Sequence, residues 1–327
     1  MNIEIRSERI SDYANIANVN YEAFLGWHPD NQYVSEPLIV DLLRHNSLFN
    51  TDLSLVAVLD GKVIGHALFS PFKFVVMGQE QSGVVLAPIA VEPEHQKKGV
   101  GKMLIEEGHK RAANLGYSFS LLCGHDTYYP KFGYITGMFA VEGAKINIMN
   151  NSFNIAGYND RPVRSEDLPW IMEKWHKLHG RDQLALFPGE NISQWHSQSL
   201  ESRCSVITRN DAIIGLLRYE RRRLWVKELL AENENVAEIL SYVFKKYGKA
   251  EGELHSALTY EYLMQTCQQR GQFNISDSLA AYSAFMIKVL HKDSLIESYC
   301  KEVKTGCVKP GIIVFPSMFD IDDGRVE

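Results

Sequence analysis

The hexad Gln96-Lys97-Lys98-Gly99-Val100-Gly101 places two bare backbone positions between the apolar run "LAPIAV" and an amphipathic helical pattern. A strand that feeds such glycines and then a helix leaves unpaired N–H groups, and the positive end of the helix dipole, converging on one point. An anion is the natural occupant. Without a Cβ in the way a phosphate can reach the amides, and Lys97, Lys98 and Lys102 supply charge beside it. The plainer reading, a tight strand-to-helix connection and nothing more, needs only the same two glycines.

Three phosphate loops compete for this stretch. A Walker loop requires Gly where Gln96 stands and Ser or Thr where Met103 stands, so that reading fails twice. A dinucleotide fingerprint requires a small residue at Leu104 and an acid at the end of the next strand, which closes instead on Cys123. What remains is Q-x-x-G-x-G, preceded by the turn Val91-Glu92-Pro93.

Other reactive residues are sparse. His125 and Asp126 follow the strand "YSFSLLC", where they could deprotonate an amine, bind an acceptor, or simply cap the turn. His176 and His179 lie one helical turn apart without a third ligand nearby, which argues for a helix surface and no metal site. The five cysteines are odd in number, widely spaced and never C-x-x-C, so neither a disulfide framework nor a zinc site is expected. The N-terminus lacks a basic flank before an apolar core, and no apolar run is long enough to span a bilayer. The expectation is a reduced, cytoplasmic protein without a membrane partner. A net charge of -6 makes no general case for nucleic acid. The basic run "RYERRRLWVK" reads as a solvated loop, so no nucleic-acid partner is expected either.

The elements that must position the loop can be read around it. "NIEIR" alternates as a strand, and residues 14–24 then follow a mostly helical spacing. Asp60-Gly61 sits between two β-rich runs as a hairpin turn. "GVVLAPIAV" reads as a strand buried on both faces, and the helix after the glycines ends at Gly116. The pattern then returns. "IRSERI" at 5–10 reappears as "VRSEDL" at 163–168, and "VLDGKVIGHA" at 58–67 as "TRNDAIIGLL" at 208–217. Two copies of one α/β unit are expected, separated in the Asn-rich stretch 146–160.

At the glycine loop, and at "LLCGHDTYYPKFGY" downstream of it, the chain resembles the GNAT superfamily of acyl-CoA-dependent N-acetyltransferases, and within it the YhbS-like group. The resemblance runs from about residue 54 to residue 134. It implies tandem GNAT-like domains of α/β (α+β) class, each a mixed, mostly antiparallel sheet flanked by helices. Residues 1–150 would be the catalytic domain, 151–292 a degenerate copy, and 293–327 a tail that could add an edge strand to either. It further implies acetyl-CoA as acyl donor, held by Gln96, Lys97, Lys98, Gly99, Val100, Gly101 and Lys102, with the strand Ile89-Ala90-Val91 running beside the pantetheine. A backbone N–H of Ile89 or Val91 would stabilise the oxyanion. Tyr129, four residues before Gly133, stands at the family's general-acid position, where a phenol can protonate the departing thiolate. Its neighbour Tyr128 would be a packing residue.

One feature departs from the family. Many relatives carry a glutamate general base on the strand before the loop, whereas "GVVLAP" is uncharged, so either Glu22, Glu92 or His125 acts through water or the amine arrives neutral. The expected reaction is direct attack by a small-molecule or protein amine in a ternary complex, since no reactive Cys or Ser is expected at the site. The alternative is a non-catalytic acyl-CoA-binding or regulatory protein. Self-association as a homo-oligomer stays open. In the second copy the loop position reads "ENEN", whose carboxylates would repel a pyrophosphate, and the tyrosine position four residues before Gly271 is Cys267. No coenzyme is expected there.

Overall fold

The structure, a computed structural model, describes residues 2–27, 34–141, 144–149, 152–222, 224–248, 252–256, 260–267, 273–277, 280–281 and 284–320. Strands β1 (Glu4–Ser7), β2 (Ser54–Leu59), β3 (Lys62–Val76), β4 (Gln79–Val91) and β5 (Phe119–Cys123) alternate with helices α1 (Tyr13–Phe24), α2 (Glu36–Arg44) and α3 (Val100–Asn114). There follow β6 (Ala140–Val141), β7 (Ala144–Ile148), β8 (Tyr158–Pro162), α4 (Leu168–His179) and β9 (Leu184–Leu186). Next come β10 (Ser202–Arg209), β11 (Ala212–Glu220), β12 (Trp225–Ala231), α5 (Asn233–Tyr247), β13 (Gly252–Ser256) and α6 (Tyr260–Cys267). The chain closes with β14 (Phe273–Asp277), β15 (Ala280–Ala281), β16 (Phe285–Val289) and α7 (Leu295–Thr305).

These elements form two compact units, one of the described residues within 1–139 and 283–310, the other of those within 140–282 and 311–320. In the first, the strand order is β1-β2-β3-β4-β5-β16, with β4 and β5 parallel and the other pairs antiparallel. Its hairpins turn on Asp60-Gly61 (φ 49° and 81°) and Met77-Gly78 (φ 48° and 74°), the doubly positive geometry that matches strand twist. Helix α3 buries Val100, Leu104, Ile105, Gly108 and Ala112 along one stripe. Gly108 is obligatory there, because a Cβ would come within 2.0 Å of the Phe69 ring. Opposite, α1 carries Asn20 to His66 of β3.

The second unit orders its strands β14-β7-β13-β12-β11-β10-β8. It repeats the first in small detail. Both have a bulge before the hairpin turn, at Ala57/Val58 and Ile207/Thr208, and the second turn is Asn210-Asp211 (φ 48° and 67°). Both open their first helix with an Arg-x-x-Asp box, Arg9 with Asp12 and Arg164 with Asp167, in which the aspartate also pairs with an arginine, Arg6 at 2.6 Å or Arg161 at 2.7 Å. Arg6 therefore corresponds to Arg161, and the sequence register that set Arg6 against Arg164 is off by one helical turn. The repeat survives this shift because the conserved geometry is the ion pair and cap, not the Ser-Glu dipeptide.

The expected boundaries at 150 and 292 do not coincide with these units. Each sheet takes a strand from beyond the expected boundary at 150: β7, which precedes it, lies between β14 and β13 in the second sheet, and β16, which falls in the stretch 151–292, pairs with β5 at the edge of the first. Among its described residues the C-terminal segment forms no edge strand. Residues 295–305 are helical, and 311–320 are held within the second unit by buried Arg218, which binds both Asp320 oxygens at 2.6 and 2.8 Å and donates to the Phe315 carbonyl. Two buried charges this close hold each other ionised. Burial raises the Glu228 carboxyl, which lies in the same cluster.

Candidate active site

Strand β4 makes the site by losing a neighbour. It pairs with β5 only at Val84↔Ser120 and Val85↔Leu121, but stays paired with β3 as far as Val91↔Gly65. A bulge between Leu86 and Ile89 marks where it turns away. The Glu92 amide donates to the Ile64 carbonyl at 2.9 Å, so strand alternation aims the peptide groups of Val91 and Ile89 away from β3, into the opening. Ala90 faces the other way. Its peptide is directed to β3 and its side chain is buried, so it offers the opening no free amide.

The loop beyond β4 is fixed by its own side chains. Gln96 Nε2 donates to the Val91 carbonyl at 3.0 Å, and Glu92 pairs with Lys62 at 2.7 Å and His95 at 3.3 Å. Lys97 and Gly99 both take positive φ, 60° and 89°, which turns successive amides toward one side. Gly99 is the N-cap of α3 and brings no side-chain acceptor, so the Val100, Gly101 and Lys102 amides have no intrahelical partner. Lys97, Lys98 and Lys102 are exposed around them, and the Val100 side chain anchors the turn in the core. The geometry is an open anion cradle.

Tyr129 opens a 3-10 turn, Tyr129–Phe132, that closes on Gly133 at φ 83°. Its ring packs edge-on to Tyr128 at 5.1 Å and Tyr134 at 5.9 Å, and lies so near Gly124 that a Cβ there would meet it at 2.4 Å. Burial pushes its phenol up to about 12. It is thus a proton donor that stays loaded. Tyr128 packs its ring edge-on against Tyr129 and Phe132, both at 5.1 Å, yet it is 38% exposed and its hydroxyl stands 3.3 Å from where a Gly101 Cβ would be, at the mouth of the cradle.

His125 is exposed, with its ring 5.0 Å from that of Trp27, which in turn lies 6.1 Å from Phe24. Trp27 and Phe24 were not singled out in the sequence, although "AFLGW" directly after an amphipathic helix is the kind of exposed aromatic end that warrants it. Of the three candidate bases, Glu92 is committed to Lys62 and His95, which leaves Glu22, exposed on α1, and His125. His66 is no substitute. It is fully buried between Asn20 and Ser54, and burial together with the Arg44 charge lowers it to about 3. A cysteine does stand by the site: Cys123 is exposed at the end of β5, where the strands part.

The second unit lacks the cradle by deletion. Residues 92–99 separate β4 from α3, whereas Glu232 alone separates β12 from α5. "ENEN" is therefore no loop. Its last three residues form the first helical turn, and Glu232 binds Lys174 at 2.8 Å and Lys177 at 2.5 Å. Cys267 ends α6 fully buried, and Gly271 lies outside the described residues. His179 pairs with Asp182 at 2.7 Å, and His176 stacks on Phe187.

A splayed β4–β5 pair with an anion cradle leading into α3 can seat an anion beside an open strand edge. The model of the acetyltransferase (GNAT) family matches residues 16–134, and this part of the chain belongs to that family. Among curated relatives, the uncharacterized N-acetyltransferase YjhQ of Escherichia coli K12 is 36% identical over 126 residues, covering 38% of this chain and 65% of its own. The uncharacterized N-acetyltransferase YhbS of the same strain is 33% identical over 101 residues, 31% of this chain and 58% of its own. The chain thus spans less than two thirds of each. A GCN5-related N-acetyltransferase from Anabaena variabilis shares the fold across both units, with TM-score 0.64 at 14% identity over 89% of this chain and 73% of its own.

Proposed function

We propose that the first unit transfers an acetyl group from acetyl-CoA to an amine. The observation that carries this is the juxtaposition of the 96–101 cradle with the unpaired edge of β4, one suited to a pyrophosphate and the other to an extended amide-bearing arm. In this reading the Val100–Lys102 amides and the surrounding lysines hold the pyrophosphate, and the Ile89 and Val91 peptides pair with the pantetheine. The same edge supplies the oxyanion donor. The neutral amine attacks the thioester carbonyl, its nitrogen gives up a proton through water to His125 or Glu22, the C–S bond breaks as the tetrahedral oxyanion collapses, and Tyr129 gives its proton to the coenzyme thiolate. His125 and the Trp27 ring face the acceptor.

Direct attack is the proposed order, and Cys123 makes that order testable. A ternary complex gives intersecting initial-velocity lines and survives Cys123→Ala, whereas parallel lines abolished by that variant would put an acetyl-cysteine on the path. Turnover against a panel of small amines and peptide amines, with Tyr129→Phe as control, tests the activity itself. Binding of acetyl-CoA without turnover of any amine would leave a coenzyme-binding protein.

A further inference from the structure

Behind the tyrosine turn, within the first unit, lies an open cavity of about 500 Å³. One wall is α3, through His109 and Ala113; another is β16, through Lys288 and Leu290; Ile135 and Lys292 complete the lining used here. Its charges do not balance. Among the described residues no carboxylate lies within ion-pair distance of Lys288 or Lys292, and the rim residue Lys110 holds Glu107 only at 3.7 Å. The one carboxylate of the lining, Glu297, accepts from the Asp293 amide at 2.6 Å, pairs with Lys301 at 3.5 Å and also feels the Lys292 charge, so the three lysines of the lining face one shared carboxylate.

Lys288 is placed deliberately by the topology. It sits opposite Ser120 in the β16–β5 pair, and its ammonium lies across Gly133, where a Cβ would meet Nζ at 2.5 Å. His109 is half-buried beside it, with Nε2 3.0 Å from the Tyr134 hydroxyl, which is 2.7 Å from Ser120 Oγ. Burial first, and the Lys288 charge second, lower His109 to about 4, so the imidazole is neutral near pH 7 and adds a polar edge without adding charge. The volume far exceeds a bare ion, and Ala113, Ile135 and Leu290 give it an apolar floor.

We propose that this cavity binds a small organic carboxylate, with its charged end on Lys288 and Lys292 and its apolar body against Ile135 and Leu290. The site is separate from the coenzyme cradle and stands whether or not the chain transfers acetyl groups. It owes Lys288 to β16, which pairs with β5 of the first sheet, and Lys292 to the turn that follows.

Benzoate and its neutral isostere benzamide are the probes, titrated into the full chain while the His109 ring is followed by NMR and assigned with His109→Gln. Benzoate should shift the His109 signals saturably and raise its titration midpoint, because an anion beside the ring favours imidazolium. Lys288→Met should weaken benzoate by about tenfold, as loss of one charge-assisted contact does, with Lys292→Met as the parallel variant should the first misfold. Benzamide binding as tightly as benzoate, or both lysine variants binding benzoate unchanged, would overturn the site. Inorganic phosphate binding as tightly as benzoate would overturn the organic part of the assignment.

Discussion

Gly101→Glu separates binding from folding at the cradle. Gly101 is the second residue of α3, with helical backbone, and a Cβ there meets only the Tyr128 hydroxyl at 3.3 Å and Val91 Cγ2 at 3.9 Å. Tyr128 is 38% exposed and can give by the few tenths of an ångström required. Replacing Gly within a helix gains about 0.5–1 kcal/mol, and a carboxylate in the first turn about 0.3–1 kcal/mol more from the dipole. Stability should therefore hold or rise by about 1 kcal/mol. Binding should not. The carboxylate takes the place of the pyrophosphate on the Val100–Lys102 amides, and losing two charge-assisted hydrogen bonds at about 1.5 kcal/mol each weakens acetyl-CoA by two powers of ten or so. Urea unfolding reads the first quantity and calorimetry the second. A folded variant that binds acetyl-CoA within about threefold of wild type would refute the cradle as the pyrophosphate site.

Tyr129→Phe should lower kcat by a factor of about 10² to 10⁴ with little change in KM for acetyl-CoA; with the phenol held near 12, wild-type rates should show no alkaline fall from this group below about pH 11. His66 and His109 are both held below their unfolded value of 6.5, at about 3 and about 4, so their stabilising effect is complete above pH 6.5 and is lost as pH falls. Near pH 5 each should add one proton to the slope of unfolding free energy, about 1.4 kcal/mol per pH unit, and His66→Asn should remove one of the two. Gly108→Ala should cost about 1–3 kcal/mol despite better helix propensity, since its Cβ would stand 2.0 Å from Phe69 in a core that cannot yield; thermal unfolding checks it.

The cradle was legible because everything that makes it is local. Gln96, the two glycines and the helix stripe of Leu104, Ile105 and Ala112 lie within one strand-loop-helix passage, and the hairpin turn announces itself in Asp60-Gly61. What could not be read depends on pairing across the chain. Nothing in "AKINI" or "FMIKV" says which sheet each joins, because alternation sets a face and not a neighbour. The second copy's loop was misjudged for a related reason: "ENEN" looks like a substituted loop until β12 is seen to run to Ala231 and α5 to begin at Asn233. That Tyr128, besides packing on Tyr129 and Phe132, also brings its hydroxyl to the glycines was not legible, because a 3-10 turn with Pro130 at its start places the two rings where helical spacing alone does not.

A single coenzyme site is predicted, in the unit that keeps residues 92–99 between β4 and α3. Calorimetric titration of the full chain with acetyl-CoA counts sites directly. One site per chain is the predicted result. Two sites would mean that the deletion around Glu232 does not abolish binding, and none would mean that the cradle is only a turn.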